Sequence, residues 1–323
     1  MKIFLWILLG LLALYLLFVL LPSVISFFYS YGGREGKDLD REPLSRLQKS
    51  QYKDLLPVIF QGNRWYREIF PQMSEHTIRS YDGLKLMAHY LDQGFSRTAV
   101  LMHGFHTTIG NNFGVIGQDL LALGFNLLFP DQRCFGGSEG VFCSFGQREH
   151  RDLLRWIEYA DRDLHAEKIL VFGVSMGGVA VSFASGRIEN PKVKLLVDDC
   201  GFTSIYELQM QSAKNFHVPG KIMMPYVERF ARWFIGIDIR KSTESSLKNA
   251  RIPMFFIHGG ADKSVPLEWG IRNYNACSSE KEQMIEKDAG HAVAYVASGA
   301  EGKERLRRLV QKYFSEPKGE ETA

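Results

Sequence analysis

Ser175 stands in the run Gly173-Val174-Ser175-Met176-Gly177, after an apolar stretch and before one rich in small residues. A serine hydroxyl is a weak nucleophile until a base takes its proton and a third group orients that base. A sharp strand-to-helix turn, made possible by flanking glycines, holds such a serine at the top of a sheet. The run therefore predicts a nucleophile. The alternative is a loop serine that caps the following helix.

The partners that this serine needs follow it in the order acid, then base. Asp262 comes just after the apolar run 254–257, and His291 comes just after the run 283–285. Both residues lie in loops that directly follow a predicted strand. We predict that His291 takes the serine proton and that Asp262 holds the imidazole. Asp199 is a second candidate acid, and a turn aspartate and a surface histidine are the structural alternatives.

Acyl transfer also needs hydrogen-bond donors for the oxyanion that develops, each contributing roughly 2.7–4 kcal/mol. The backbone N–H of Met176 is one candidate, at the start of the helix after the nucleophile. The backbone N–H of Phe105 is the other, because Gly104 before it lets the main chain approach the substrate. His103 and His258 each precede a glycine in the chain. We interpret both as structural residues.

The elements that must position these groups alternate between strand and helix. A hairpin over 77–80 and 84–91 opens the pattern. Continuous apolar runs, typical of strands buried on both faces, then cover residues 99–102, 126–129, 169–172, 195–197, 254–257 and 283–285. Helical patterns lie between and after them at 112–123, 148–159, 176–185, 267–275 and 301–313. We predict an α/β fold with a mostly parallel sheet, helices on both faces, and ligands at the carboxyl ends of the strands.

Taken together, these motifs resemble bacterial α/β-hydrolases, in particular esterase-like proteins related to prolyl-oligopeptidase domains. The resemblance covers roughly residues 77–314. Its motifs are His103-Gly104-Phe105, Asp131-Gln132-Arg133 with Gly136-Gly137-Ser138, Gly173-Val174-Ser175-Met176-Gly177, Asp198-Asp199-Cys200-Gly201-Phe202-Thr203-Ser204, Gly259-Gly260-Ala261-Asp262 and Gly290-His291. It implies a Ser175–His291–Asp262 triad and an oxyanion hole formed by the Phe105 and Met176 amides.

The chain departs from these relatives in the loop after the Asp131 strand. Many of them carry a histidine before the glycine there, whereas this chain reads Arg133-Cys134-Phe135-Gly136. The change leaves the predicted triad intact. We expect it to alter the shape of the pocket.

A segment at 205–251 is much longer than an ordinary crossover and is rich in methionine and aromatic residues. In this fold such an insertion forms a helical lid over the nucleophile. Part of its apolar surface must pack the lid onto the core. The remainder suggests a pocket for an apolar acyl or aromatic group.

The N-terminus carries an almost wholly apolar run from Ile3 to Leu21, followed by Pro22. Nineteen residues at about 1.5 Å each nearly match a bilayer core of about 30 Å. A cleaved signal peptide is the alternative. We favour a retained single-pass anchor, because the run is long and Phe27 and Phe28 follow the candidate cleavage region.

Lysine and arginine residues are more numerous after this run than before it, which favours a cytoplasmic catalytic domain. We therefore predict a transmembrane anchor over 1–31, a tether with N-terminal helices over 32–72, a hydrolase domain over 73–315 and a disordered tail over 316–323.

Composition excludes several classes of function. A net charge of +3 on 323 residues, without a basic stripe, argues against nucleic-acid binding. The four cysteines have no metal-ligand spacing, so we predict no metal and no cofactor. Cys134 and Cys143 are interpreted as free thiols, with a disulfide as the alternative.

The predicted activity is that of a carboxylesterase-like serine hydrolase that forms an acyl-enzyme on Ser175. The expected partners are a small-molecule or lipid-like acyl substrate and the membrane. A serine peptidase and a thioesterase are alternatives within the same chemistry. A non-catalytic binding protein is the alternative from another class, although all three triad positions are filled.

Overall fold

The computed structural model describes residues 2–33 and 53–315. Eight strands form one sheet in the order β1-β2-β4-β3-β5-β6-β7-β8. They are β1 (Ser74–Arg79), β2 (Lys85–Leu91), β3 (Arg97–Met102), β4 (Phe125–Pro130), β5 (Lys168–Val174), β6 (Val193–Asp199), β7 (Met254–Gly259) and β8 (Lys281–Glu286). The pairs β1–β2 and β2–β4 are antiparallel, and all other neighbours are parallel.

Twelve α-helices lie in the described part of the chain. They are α1 (Lys2–Tyr15), α2 (Leu21–Tyr31), α3 (Leu56–Ile69), α4 (Ile109–Ala122), α5 (Glu149–Arg162), α6 (Met176–Ala184), α7 (Ile205–Asn215), α8 (Gly220–Phe230), α9 (Glu244–Leu247), α10 (Leu267–Ala276), α11 (Ala294–Ala297) and α12 (Ala300–Phe314). Helices cover both faces of the sheet: α4 and α12 pack on one, α5 and α6 on the other. The predicted fold class is confirmed.

Burial on two faces explains the continuous apolar runs. Along β5, Leu170 and Phe172 face one core cluster while Ile169 and Val171 face the other. Alternate side chains of a strand point to opposite faces, so a central strand needs apolar residues at every position. All six predicted apolar strands are present. The structure extends each of them by two to four residues.

The helices α7, α8 and α9 lie between β6 and β7, where the lid was predicted. A third apolar cluster joins this lid to the carboxyl edge of the sheet. It includes Phe145, Met176, Phe202, Met224 and Ile235, all of them buried. The same cluster contains Phe27 and Tyr31 of α2, so the N-terminal helix belongs to this layer.

The N-terminal segment is one long helix. A π-helical turn, Leu16–Leu20, joins α1 to α2, and Ile3–Tyr31 is long and apolar enough to cross a membrane. A signal sequence can have the same length and composition. The helix continues through Pro22, as the predicted anchor over 1–31 requires. Proline lacks an N–H donor, and Pro22 stands in the first turn after the π-helical turn.

The proposed sidedness and the tether depend on residues 34–52, and the proposed tail covers 316–323. Both segments lie outside the described residues. Cys134 and Cys143 are free thiols in the structure.

Candidate active site

Ser175 occupies the turn between β5 and α6, at the carboxyl edge of the sheet. Its backbone angles are φ 53° and ψ −113°, a region that non-glycine residues rarely adopt and that costs about 1–3 kcal/mol. Its amide donates a hydrogen bond of 2.7 Å to the carbonyl of Asp199, which ties the turn to the end of β6. This strained turn exposes the hydroxyl above the sheet, as the sequence predicted.

Glycine is required beside this turn because the chain crosses β3 closely. A Cβ at Gly177 would lie 1.9 Å from the carbonyl oxygen of Met102. We expect Gly177→Ala to lower the free energy of unfolding by about 3 kcal/mol or more, since backbone has to move. Urea unfolding of the full chain in detergent measures this. Gly10→Ala is the control, because no atom lies within 4 Å of a Cβ there. Equal midpoints for the two variants would contradict the steric account.

Ser175, His291 and Asp262 form a continuous hydrogen-bonded chain. The Ser175 hydroxyl lies 2.9 Å from Nε2 of His291, and Nδ1 of His291 lies 2.7 Å from Oδ2 of Asp262. If Nδ1–H donates to the carboxylate, Nε2 is left as the acceptor for the serine proton. The arrangement can therefore activate a hydroxyl as a nucleophile.

The Asp262 carboxylate is fixed from its other side. Its Oδ1 accepts hydrogen bonds from the amides of Ser264 and Val265, at 2.8 and 2.9 Å, and the side chain is fully buried. His258 packs close by, and its Nε2 bonds to the carbonyl of Val265. Burial lowers the pKa of His258, which keeps that ring neutral. The structural interpretation of His258 agrees with these contacts.

Asp199, the second candidate acid, makes no hydrogen bond to His291 in the described structure. It is buried beneath the elbow. Burial, reinforced by neighbouring Asp198, raises the pKa of Asp199 to about 8. The carboxyl group is thus held mainly in its neutral form near pH 7, which suits a structural role better than the orientation of a histidine.

The raised pKa of Asp199 makes folding stability depend on pH. An unfolded aspartate titrates near 3.9, so the folded state keeps this proton to a higher pH than the unfolded state does. The free energy of unfolding therefore falls as the pH rises from about 4 to about 8, by up to about 1.4 kcal/mol per pH unit. We expect Asp199→Asn to flatten this decline. Urea unfolding of both proteins between about pH 5 and pH 8 measures it, and parallel curves would refute the assignment.

Both predicted oxyanion amides lie beside the nucleophile. Met176 is the first residue of α6, so its N–H has no acceptor within the helix. The Phe105 amide donates to no other group in the described part of the chain. Both residues line the cavity that contains Ser175 and His291. The two N–H groups are thus available to a substrate oxygen, and their catalytic role stays a prediction.

Two side chains position the Phe105 loop. Asn112, in the first turn of α4, accepts a hydrogen bond of 2.8 Å from the Gly104 amide. His103 bonds through Nδ1 to the carbonyl of Gly104 and accepts the Gln132 amide on Nε2. With both ring nitrogens engaged, and its pKa lowered by burial, His103 is a neutral structural residue, as predicted. Sequence reasoning missed Asn112. Its location just after the loop was the available signal.

Phe135, which stands in the loop where many relatives carry a histidine, is buried beside this region. Its ring contacts Phe105 edge-on at 5.9 Å and His103 at 5.4 Å. An apolar ring thus supports the Phe105 loop from behind. Phe135 makes this side of the site less polar than a histidine at the same position would.

The space around Ser175 has two arms. The larger has a volume of about 690 Å³ and runs between the lid and the N-terminal helix. The smaller, about 180 Å³, is lined by polar groups that include Thr107, Asn111 and Asn112. Ser175, His291 and Phe105 border both arms. A substrate with one large apolar part and one small polar part fits this geometry.

One group of potential metal ligands lies in the same place. Atoms of Cys200, Asp262 and His291 are within 4.8 Å of one another. Asp262 and His291 are already hydrogen-bonded to each other, and burial raises the pKa of the Cys200 thiol. Because metal ligation requires the thiolate, this donor set suits an acid–base chain better than a metal.

Known proteins share the architecture. Residues 95–217 match a family model described as serine aminopeptidase, S33. The uncharacterized protein YqkD of Bacillus subtilis is 23% identical over 249 residues, which span 76% of this chain and 78% of YqkD. The esterase Pf2001 of Pyrococcus furiosus superposes with a TM-score of 0.62 at 21% identity, covering 75% of this chain and 93% of the esterase. A third similar structure is Est1E of Butyrivibrio proteoclasticus with bound ferulic acid, at TM-score 0.56 and 16% identity, covering 75% of this chain and all of Est1E.

Proposed function

We propose that this chain, which has the α/β-hydrolase fold, is a serine hydrolase that cleaves carboxylic esters through a covalent acyl-enzyme. One observation carries the proposal: the hydrogen-bonded chain from Ser175 through His291 to Asp262, with distances of 2.9 and 2.7 Å. Serine hydrolases of unrelated folds rely on this geometry. It stands at the carboxyl edge of the sheet, where ligands of such sheets bind.

In the proposed reaction, the Ser175 oxygen attacks the carbonyl carbon while His291 takes the hydroxyl proton. The carbonyl oxygen gains negative charge and accepts hydrogen bonds from the Phe105 and Met176 amides. His291 then gives its proton to the departing alcohol oxygen as the tetrahedral intermediate collapses. Water, deprotonated by His291, releases the acid and restores Ser175.

The shape of the cavity favours esters with an apolar acyl group. Side chains such as Met223, Met224, Phe202 and Val265 line the larger arm. The smaller polar arm suits the alcohol portion. The description of the matching family model, serine aminopeptidase, supports a peptidase as the second candidate.

The test is covalent labelling of the full chain in detergent with a fluorophosphonate, followed by peptide mass spectrometry. We expect the adduct on Ser175. An adduct on a different serine, or an unlabelled protein that folds, would overturn the assignment of the nucleophile.

A substrate panel then separates the bond types. It contains p-nitrophenyl esters, aminoacyl and peptidyl anilides, and acyl thioesters of matched chain length. We expect the highest kcat/KM on the esters. Faster cleavage of the anilides would establish the peptidase instead, and faster cleavage of the thioesters a thioesterase.

A further inference from the structure

The wall of the larger arm that faces the N-terminus is formed by helix α2. Six residues of α2 line the cavity, and they form three pairs of adjacent residues spaced four residues apart. They are Leu21, Pro22, Ile25, Ser26, Tyr29 and Ser30. Residues four apart lie on one face of an α-helix, so one whole face of α2 is exposed to the space above Ser175.

Another face of α2 is bound firmly to the catalytic domain. Phe27 and Tyr31 are fully buried, and the Phe27 ring packs against Phe142 and Phe230 at 5.5 and 5.9 Å. At the last residue of the helix, the carbonyl of Tyr31 accepts a hydrogen bond of 2.9 Å from the Cys143 amide. Helix α2 is therefore a built part of the site.

The helix also leads directly into the apolar span. Residues 3–18 are all exposed, and sixteen residues at about 1.5 Å each extend over about 24 Å. A bilayer core of about 30 Å would take up that length and approach the start of α2. Apolar side chains of the lid are exposed alongside, among them Ile222, Trp233 and Phe234, which are 55%, 68% and 58% exposed. The cavity thus lies next to the apolar surface that a membrane would cover.

We propose that α2 is one wall of the acyl-binding site and that the substrate is a long-chain fatty acyl ester drawn from the bilayer that holds the helix. The inference rests on the proposed function. The apolar volume of about 690 Å³ is within the range of 300–1,000 Å³ found for ligand sites. The acyl chain enters between α2 and the lid, its carbonyl reaches Ser175, and the polar alcohol portion occupies the smaller arm.

The first experiment narrows the cavity from the helix side. Ile25→Trp adds bulk to the lining face of α2. The full chain is placed in phosphatidylcholine nanodiscs, and kcat/KM is measured for p-nitrophenyl dodecanoate and p-nitrophenyl butyrate. We expect the dodecanoate-to-butyrate ratio to fall by about tenfold or more. Leu21→Trp, one turn earlier on the same face, is a second variant with the same expected result.

Ile7→Trp is the matched control. Ile7 is 57% exposed and Ile25 is 59% exposed, but only Ile25 lines the cavity. We expect the control to keep the wild-type ratio. If Ile25→Trp and Leu21→Trp are labelled by the fluorophosphonate and also keep that ratio, α2 is not a wall of the acyl site.

The second experiment tests the source of the substrate. 4-Methylumbelliferyl oleate is incorporated either into the nanodiscs that hold the protein or into separate vesicles. We expect hydrolysis to be at least about tenfold faster in the shared bilayer, since the ester need not cross water. Equal rates would overturn the bilayer source. Failure of the unsubstituted chain to be labelled or to cleave any ester would instead refute the proposed function itself.

Discussion

Replacing Ser175 with alanine is expected to lower kcat for ester hydrolysis by about 10⁶-fold. The substitution removes the hydroxyl that lies 2.9 Å from Nε2 of His291, so no acyl-enzyme can form on this residue. Residual hydrolysis would come from water that is positioned near the Phe105 and Met176 amides. Single-turnover and steady-state rates on p-nitrophenyl butyrate measure the loss.

Ser245→Ala is the control for that experiment, because Ser245 is an exposed serine at the surface of the lid. We expect it to have wild-type kinetics. Thermal unfolding of Ser175→Ala should stay close to wild type, since alanine and serine share the same strained backbone position at φ 53°. If Ser175→Ala lost both activity and folding, the result would not support a nucleophilic role for Ser175. Activity of Ser175→Ala within tenfold of wild type would contradict that role.

Asp262→Asn is expected to lower kcat by about 10⁴-fold, the second large effect. The reason lies in the two backbone amides that donate hydrogen bonds to Oδ1 of Asp262. The amides of Ser264 and Val265 must meet an oxygen, so the new side-chain NH₂ is turned toward Nδ1 of His291. That nitrogen must then accept, and the ring proton moves to Nε2. Nε2 can no longer take the proton of Ser175.

The pH profile separates this mechanism from mere loss of structure. A wrong tautomer leaves hydroxide as the base, so activity of Asp262→Asn should rise with pH where the wild type levels off. Asp199→Asn is the matched control, because Asp199 has the same side chain but does not bond to His291. We expect it to retain most of the activity at pH 7. If Asp199→Asn lost activity and Asp262→Asn did not, Asp199 would be the residue that orients His291.

Much of the candidate site could be predicted from local sequence because each group follows an apolar strand directly. Asp262 and His291 are 29 residues apart and His291 is 116 residues from Ser175, yet all three lie at strand ends. Parallel strands bring their carboxyl ends to one edge of the sheet. Chain order and strand ends therefore predicted their proximity. The hydrogen-bond distances depend on the packing of distant elements, which no local pattern encodes.

Helix α2 shows where such reasoning stops. Hydropathy identifies an apolar span, and apolar residues suit a lipid environment, a protein core and a cavity wall equally well. The contacts of Phe27 with Phe142 and Phe230 join segments more than a hundred residues apart in sequence. Similarly, Asn112 carries no motif of its own. Its location just after the loop was a weak signal, and the structure adds its hydrogen bond with the Gly104 amide.

The division of the N-terminal helix at its π turn has an evolutionary consequence. In the proposed membrane anchor, substitutions in α1 need only preserve an apolar surface, so leucine, isoleucine and phenylalanine are interchangeable there. In α2, side-chain size at the lining positions shapes the cavity and burial at Phe27 and Tyr31 fixes the helix. Among descendants of this chain, one uninterrupted helix would therefore diverge at two rates, fast before Leu16 and slow after Leu20. A change of substrate would be accompanied by substitutions in the slowly diverging part.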